Sequence, residues 1–164
     1  MKIKLSVIIL IFLLMFISGC ATVSKKLPQY EQITSLKDGY AIVYIYRDNA
    51  YPLLHSPMVT IDDKKIFQPK ERAYSWVYLK DGKHKIKFNW GTLSGGADVE
   101  FELEVKNKQH YYLKLHGSYS GEHKIIMIET TFTSIVSILD QEVAEKELIE
   151  LDCRYVAPIT DIID

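Results

Sequence analysis

The sequence predicts a mostly β fold, an antiparallel β-sandwich of about six to eight strands with a C-terminal helix. Three observations lead there. Val99, Phe101, Leu103 and Val105 alternate with Glu100, Glu102 and Glu104, the period of a strand with one buried face. Other short runs rich in β-branched and aromatic residues recur along the chain, parted by turns of Asp, Asn and Gly. After Asp140 the period changes to that of a helix, with Ala144, Leu148 and Leu151 on one face. At 164 residues the chain fits one domain that buries a core without disulfide staples.

The first segment stands outside that fold. Lys2 and Lys4 give a basic start, Leu5 to Ile17 is apolar apart from Ser6, and Ser18-Gly19-Cys20 closes the run. A spanning helix needs roughly 20 apolar residues, so this stretch has the length of a signal h-region instead. Leu14-Met15-Phe16-Ile17-Ser18-Gly19-Cys20 resembles a bacterial lipoprotein signal. The resemblance implies that residues 1–19 are a signal peptide cut before Cys20. It also implies that the Cys20 sulfur carries a diacylglycerol, with palmitate among its acyl chains. By resemblance to enteric lipoproteins, Ala21 in place of Asp implies sorting to the outer membrane, facing the periplasm of a Gram-negative cell.

Residues 20–38 read as the lipidated N-terminus and a tether. Ala21 to Gln29 is mostly small or polar, with no clear period. Fully extended, such a segment reaches on the order of 60 Å, so the domain need not touch a bilayer. Lys25 and Lys26 favour anionic headgroups, but two lysines add little.

Charge and cysteine content narrow the classes. The chain has Lys+Arg 20 against Asp+Glu 21. Without Lys2 and Lys4 the count is 18 against 21, a formal charge of −3, which gives no electrostatic reason to expect nucleic-acid binding. Cys20 and Cys153 are the two cysteines. A thioether at Cys20 leaves Cys153 alone, and a buried small apolar side chain is its plainest role.

The domain is expected over residues 39–164. Tyr40 to Tyr46 is β-branched and aromatic throughout and suits a strand covered on both faces. Arg47 to Pro52 breaks it. Met58 to Ile61 is a second strand, followed by a turn at Asp62-Asp63-Lys64-Lys65. Tyr74 to Trp90 reads as a hairpin turning at Asp81-Gly82, with Val77, Leu79, Ile86 and Phe88 on the core face. Trp76 and Tyr78 then fall on the other face beside Lys85 and Lys87. Val99 to Val105 and Tyr111 to Leu115 read as a second hairpin through Lys106-Asn107-Lys108, because a one-residue slip would exchange the faces. That register sets Glu100 opposite Lys114 and Glu104 opposite His110. His123 to Phe132 is a further strand. Around 141–151 lies the helix, with Asp140 able to cap it.

Gly39-Tyr40-Ala41-Ile42-Val43-Tyr44-Ile45-Tyr46-Arg47, the turn Lys80-Asp81-Gly82-Lys83-His84, and Tyr111-Tyr112-Leu113-Lys114 follow the lipobox in order. This pattern resembles the bacterial lipoproteins grouped as domain of unknown function 2846, over about Gly39 to Gly117. Asp81 stands where that family's turn is expected to carry Pro, a change that leaves the turn intact. The resemblance implies a β-sandwich lipoprotein and brings no activity, cofactor or catalytic residue.

Gly91-Thr92-Leu93-Ser94-Gly95-Gly96 has phosphate-loop glycine spacing, but Ala97-Asp98 stands where Lys and Ser/Thr are required, so a hairpin connection is the better reading. Gly117-Ser118-Tyr119-Ser120-Gly121 has Tyr where a nucleophile elbow needs Ser, and reads as a turn. His110, His116 and His123 lack compact ligand spacing, and no metal or cofactor is expected. Alternating Glu on a sheet face serves solvation. The aromatic content points further: Trp76, Tyr78, Lys85 and Lys87 form a candidate binding patch if no second layer covers them.

The expected function is that of a membrane-anchored envelope lipoprotein without enzymatic activity, an interaction or assembly module with an envelope protein as partner. The alternative is a peptidoglycan or glycan-binding module using exposed aromatics. Cys20 is the expected lipidation site.

Overall fold

A computed structural model describes residues 23–50, 55–92, 94, 97–116, 127–129 and 135–164. The expected signal segment 1–19, Cys20, His123, the turn expected at 117–121 and most of the strand expected over His123 to Phe132 lie outside the described residues. The strands are β1 (Tyr40–Asp48), β2 (Met58–Ile61), β3 (Lys64–Phe67), β4 (Ala73–Lys80), β5 (Gly82–Asn89), β6 (Val99–Val105), β7 (His110–His116), β8 (Met127–Glu129), β9 (Ile135–Leu139), β10 (Arg154–Tyr155) and β11 (Ile162–Ile163). One helix, α1 (Gln141–Glu150), precedes β10. The excess over eight strands comes from short pieces: β10 and β11 are two residues each and add to the edge of β4, and β8 is three residues.

The strands form a mostly β sandwich of two sheets. The larger runs β10-β4-β1-β7-β9-β8 with β11 also on β4, and the smaller runs β3-β2-β5-β6. Pairing is antiparallel through most of the fold, but β1 lies parallel to β7, with Ile42 beside His110 and Asp48 beside His116. Between the sheets sits the main core. Ala41, Val43 and Ile45 of β1, Val77 and Leu79 of β4, and Leu113 and Leu115 of β7 meet Val59, Ile61, Ile86, Phe88, Leu103 and Val105 of the small sheet. β1 is buried from Ala41 to Arg47 without interruption, as its unbroken apolar run requires, because its other face is also covered. There Ile42, Tyr44, Tyr46, Tyr74 and Tyr112 pack with Ala144 and Leu148 of α1.

Both expected hairpins are corrected. β4 and β5 belong to different sheets, as do β6 and β7. The chain crosses the sandwich at Asp81-Gly82, where Gly82 takes φ +141°, a backbone conformation that L side chains rarely adopt. It crosses again at Asn107-Lys108, where Lys108 N donates to the Tyr40 carbonyl. The expected faces are right and the expected neighbours are not. Val77, Leu79, Ile86 and Phe88 do meet in one core, but across the roughly 10 Å between packed sheets rather than the roughly 4.8 Å between paired strands.

The real partner of β6 is β5. Glu100, Glu102 and Glu104 stand opposite Lys87, Lys85 and Lys83, in place of the expected Lys114 and His110. β5 and β6 are consecutive antiparallel strands, so the glycine-rich run falls at a hairpin connection as expected. A second hairpin joins β2 and β3 through Asp62 and Asp63, both at positive φ (48° and 62°), the type I′ geometry. Asp62 uses its carboxylate well: Oδ1 accepts from Lys85 N at 2.9 Å, and Oδ2 lies 2.6 Å from His84 Nδ1. His84 Nε2 lies 2.6 Å from the Lys80 carbonyl, so one buried ring ties the small sheet's turn to the end of β4.

α1 begins at the position expected. Asp140 is its N-cap residue by backbone conformation, but its side chain makes no capping hydrogen bond.

Candidate functional site

The segment expected to be a tether is on the domain from Val23 onward. Val23 N donates to the Glu71 carbonyl at 3.2 Å, Gln29 bridges Arg154, and Tyr155 N donates to the Pro28 carbonyl. From there the segment runs as a strap across the outer face of the large sheet, with Tyr30 and Ile33 packed against the second core. Tyrosine hydroxyls stitch it down. Tyr74 OH donates to the Gln29 carbonyl at 3.2 Å, Tyr44 OH accepts from Ile33 N at 2.8 Å, and Tyr78 OH donates to the Ser35 carbonyl at 2.7 Å. A strand face rich in Tyr buries rings but needs partners for its polar tips. Backbone groups of an irregular strap, themselves unpaired by sheet or helix, meet that need.

Beneath the strap the aromatic layer is continuous. Tyr44 and Tyr112 stack with centroids 4.7 Å apart and planes 4° apart, and Tyr30 meets Tyr44 edge-on at 5.9 Å. Glu145 of α1 accepts from Tyr112 OH at 2.8 Å and from Tyr30 OH at 3.3 Å through the same Oε1. Burial pushes the Tyr44 hydroxyl up to about 12 and raises Tyr30, Tyr46 and Tyr112 as well, chiefly by removing water from the charged form. These phenols hold their protons; Tyr30, Tyr46 and Tyr112 donate to the carboxylates of α1, while Tyr44 accepts from Ile33 N. His110, beside Tyr44, is shifted down by burial and is neutral, with Nδ1 3.4 Å from Gln32 of the strap.

Next to this layer is a small charged cluster. Lys114 Nζ of β7 lies 2.8 Å from Glu147 Oε2 of α1 and 3.6 Å from Asp48 Oδ2 at the end of β1. Tyr46 OH donates to the same Glu147 oxygen at 2.8 Å. The Lys114 side chain is 11 % exposed, so the cluster joins helix, β1 and β7 under partial desolvation.

The binding patch expected from Trp76, Tyr78, Lys85 and Lys87 is not assembled. The two aromatics lie on β4 in the large sheet and the two lysines on β5 in the small one. Lys85 pairs with Glu100 at 3.0 Å and Lys87 with Asp98 at 3.3 Å. Tyr78 is buried beneath the strap, with Lys37 4.3 Å from its ring centroid. Trp76 is partly exposed and stacks on Tyr155 at 6.3 Å. The second layer weighed against this patch exists, built mainly by the strap and the C-terminal strands.

Cys153 is buried, and desolvation pushes its thiol up to about 12, which keeps it protonated and unreactive. It lines a recess of about 90 Å³ together with Gln29, Tyr30, Leu148, Ile149 and Asp152. That space holds about three waters, well below the roughly 300 Å³ of a small-molecule pocket. Among the described residues no group of three His, Cys, Asp or Glu side chains is placed to hold a metal ion. No described helix is long and apolar enough to cross a membrane.

Arg47, expected to break the first strand, lies within β1 instead, and its side chain is fully buried. Its guanidinium donates to the carbonyls of Ala50 at 2.6 Å, His55 at 2.7 Å and Pro69 at 3.2 Å, and lies over the Trp90 ring at 5.2 Å. It holds the loop ends at the Asp48 end of the sandwich, the same end at which the strap begins.

No curated protein and no solved structure matches the chain. A family model described as "Protein of unknown function (DUF2846)" matches residues 37–128, more than half of the chain. The match runs from the start of β1 through β7 and into β8, so it takes in the whole small sheet and the centre of the large one, while the strap and α1 stand outside it. On that match the chain belongs to the DUF2846 family.

Proposed function

We propose that this chain is a membrane-anchored cell-envelope lipoprotein whose β domain serves as a non-enzymatic interaction or assembly module. The observation that carries the reading is the run Leu14 to Cys20 behind Lys2 and Lys4: a basic start, a short apolar stretch and small residues before a cysteine. The strap supports it from the other side, since it begins at Val23 and gives the residues after Cys20 a fixed attachment on the domain. Mass spectrometry of the native protein tests the anchor. The expected result is a mature N-terminus at Cys20 bearing acyl chains, lost in Cys20→Ala together with membrane association. A native protein that retains residues 1–19 without acylation refutes the anchor. Cross-linking in the same preparation tests the module, and recovery of no envelope protein above the Cys20→Ala control counts against it.

A second reading, binding of peptidoglycan or another glycan, is favoured by one observation. Trp76 keeps part of its ring accessible in a stack with Tyr155, and flat aromatic pairs suit sugar faces. Sedimentation with purified sacculi tests it. Unchanged pelleting of Trp76→Ala removes this residue from the reading.

A further inference from the structure

We infer that the basic rim around Glu71, made by Lys25, Lys26, Lys70 and Arg72, docks on anionic phospholipid headgroups. The inference rests on the lipid anchor proposed at Cys20 and goes beyond it, from attachment to orientation. Two independent observations carry it. The first is the length of the leash. Val23 is already bonded to the Glu71 carbonyl, so two residues, Ala21 and Thr22, separate the anchored cysteine from the domain, and the three Cα steps from Cys20 to Val23 reach at most roughly 11 Å. The second is what the fold gathers at that point. Lys70 and Arg72 flank Glu71, and Lys25 and Lys26 follow Val23 in a turn closed by Leu27 N donating to the Ser24 carbonyl. Arg72 is also tied in, its carbonyl accepting from Arg154 N, while Arg154 reaches the Leu27 carbonyl.

All four basic side chains belong to exposed residues, and no ion pair engages them among the described residues. The carboxylates around them have their direct partners elsewhere, although Asp152 also feels the charge of Lys25. Glu71 accepts from Asn49 N and lies near Arg47, Asp152 accepts from Gln29 and Arg154, and Asp48 faces Lys114. Two lysines on a long tether contribute little to membrane contact. Four basic residues on a leash whose greatest reach, roughly 11 Å, is close to the Debye length of roughly 8 Å at physiological salt contribute a great deal. Each basic residue near an anionic surface strengthens association roughly fivefold. The opposite end of the sandwich, with Lys80, Lys83 and Lys106, then points away from the bilayer.

The test uses the full-length protein purified from membranes and reconstituted in two kinds of vesicle. One is phosphatidylcholine alone, and the other contains about one-third phosphatidylglycerol, enough for a surface potential of the usual size. Lysines are acetylated with a water-soluble reagent and read by mass spectrometry. Expected is slower labelling of Lys25, Lys26 and Lys70 on the anionic vesicles, several-fold relative to Lys80, Lys83 and Lys106 of the same molecules. High salt restores it, and K25E/K26E restores it at Lys70. Equal labelling of the two groups on both vesicles, in protein whose intact mass shows acylated Cys20, overturns the docking and leaves the anchor standing. An intact mass without acylation removes the anchor and the docking with it.

Discussion

Replacing Lys114 with Met removes the one cation that joins α1 to the end of β1. The ammonium lies 2.8 Å from Glu147 and 3.6 Å from Asp48, and the three side chains are 11 %, 28 % and 14 % exposed. Removing one partner of a fully buried pair costs about 3–5 kcal/mol, because the other charge stays buried without a counterion. An exposed pair is worth about 0–1 kcal/mol. The cluster lies between these limits, nearer the buried one, and two carboxylates would be left facing each other. A cost of about 2–3 kcal/mol follows, which for a domain of this size lowers Tm by roughly 5–10 °C. Glu147→Gln is the companion change. Its amide oxygen still accepts from Tyr46 OH, so charge alone is removed. In urea or thermal denaturation of the two single variants and the double variant, the double should cost at least about 1 kcal/mol less than the sum of the singles. Additivity within about 0.5 kcal/mol, or a Lys114→Met cost below that figure, would refute the reasoning.

Tyr44→Phe keeps the stack on Tyr112 but leaves Ile33 N without its acceptor; stability should fall by about 1 kcal/mol, with amide exchange faster at Ile33 than in β5, and unchanged exchange at Ile33 would mean the strap is held by its side chains alone. Asp63→Gly relieves a positive φ of 62° at an exposed position and should stabilise by up to about 1 kcal/mol in urea denaturation, while Asp62→Gly should destabilise despite the same backbone gain, because Lys85 N and His84 lose their acceptor. Cys153 supplies the pH test. Its folded value is raised from 9.0 to about 12, so its contribution to stability is fully present below pH 9 and is lost as pH rises from 9 towards 12. The stability gap between wild type and Cys153→Ala should therefore narrow by about 1–2 kcal/mol between pH 8 and pH 10, and a gap that is constant or widening would show a thiol that ionises freely in the folded state.

The elements were legible in the sequence because each carries its own local period. β1, β2, β6, β7 and α1 lie within a residue or two of where alternation, β-branched content and helical spacing put them. Their partners were not legible. Alternation says that Leu103 and Leu113 point into a core, and this holds equally when they are neighbours in one sheet and when they face each other from two. The charged faces held the missing information: Glu100, Glu102 and Glu104 complement Lys87, Lys85 and Lys83 one for one, a better match than Lys114 and His110 offered. The strap was missed for a different reason. The segment from Val23 to Ser35 has no period because it forms neither a named strand nor a helix, and its partners are hydroxyls on Tyr44, Tyr74 and Tyr78 that look like ordinary core residues in a one-dimensional reading. Tyr40, Tyr44 and Tyr46 on one face of β1, with Tyr74 and Tyr78 on one face of β4, were the available sign that a polar cover existed.

The parallel pairing of β1 with β7 has a kinetic consequence. Ile42 and His110 are 68 residues apart in sequence, and the central contact of the large sheet cannot form before both have been synthesised. Closing so long a loop has to precede most of the contacts that reward it, which places the fold among slow, non-local folders on the millisecond-to-second scale. A chain that emerges from the ribosome at about 5–20 residues per second therefore lacks its central strand pair for several seconds. Under the proposed export through a membrane, that delay keeps the chain threadable until translocation has begun.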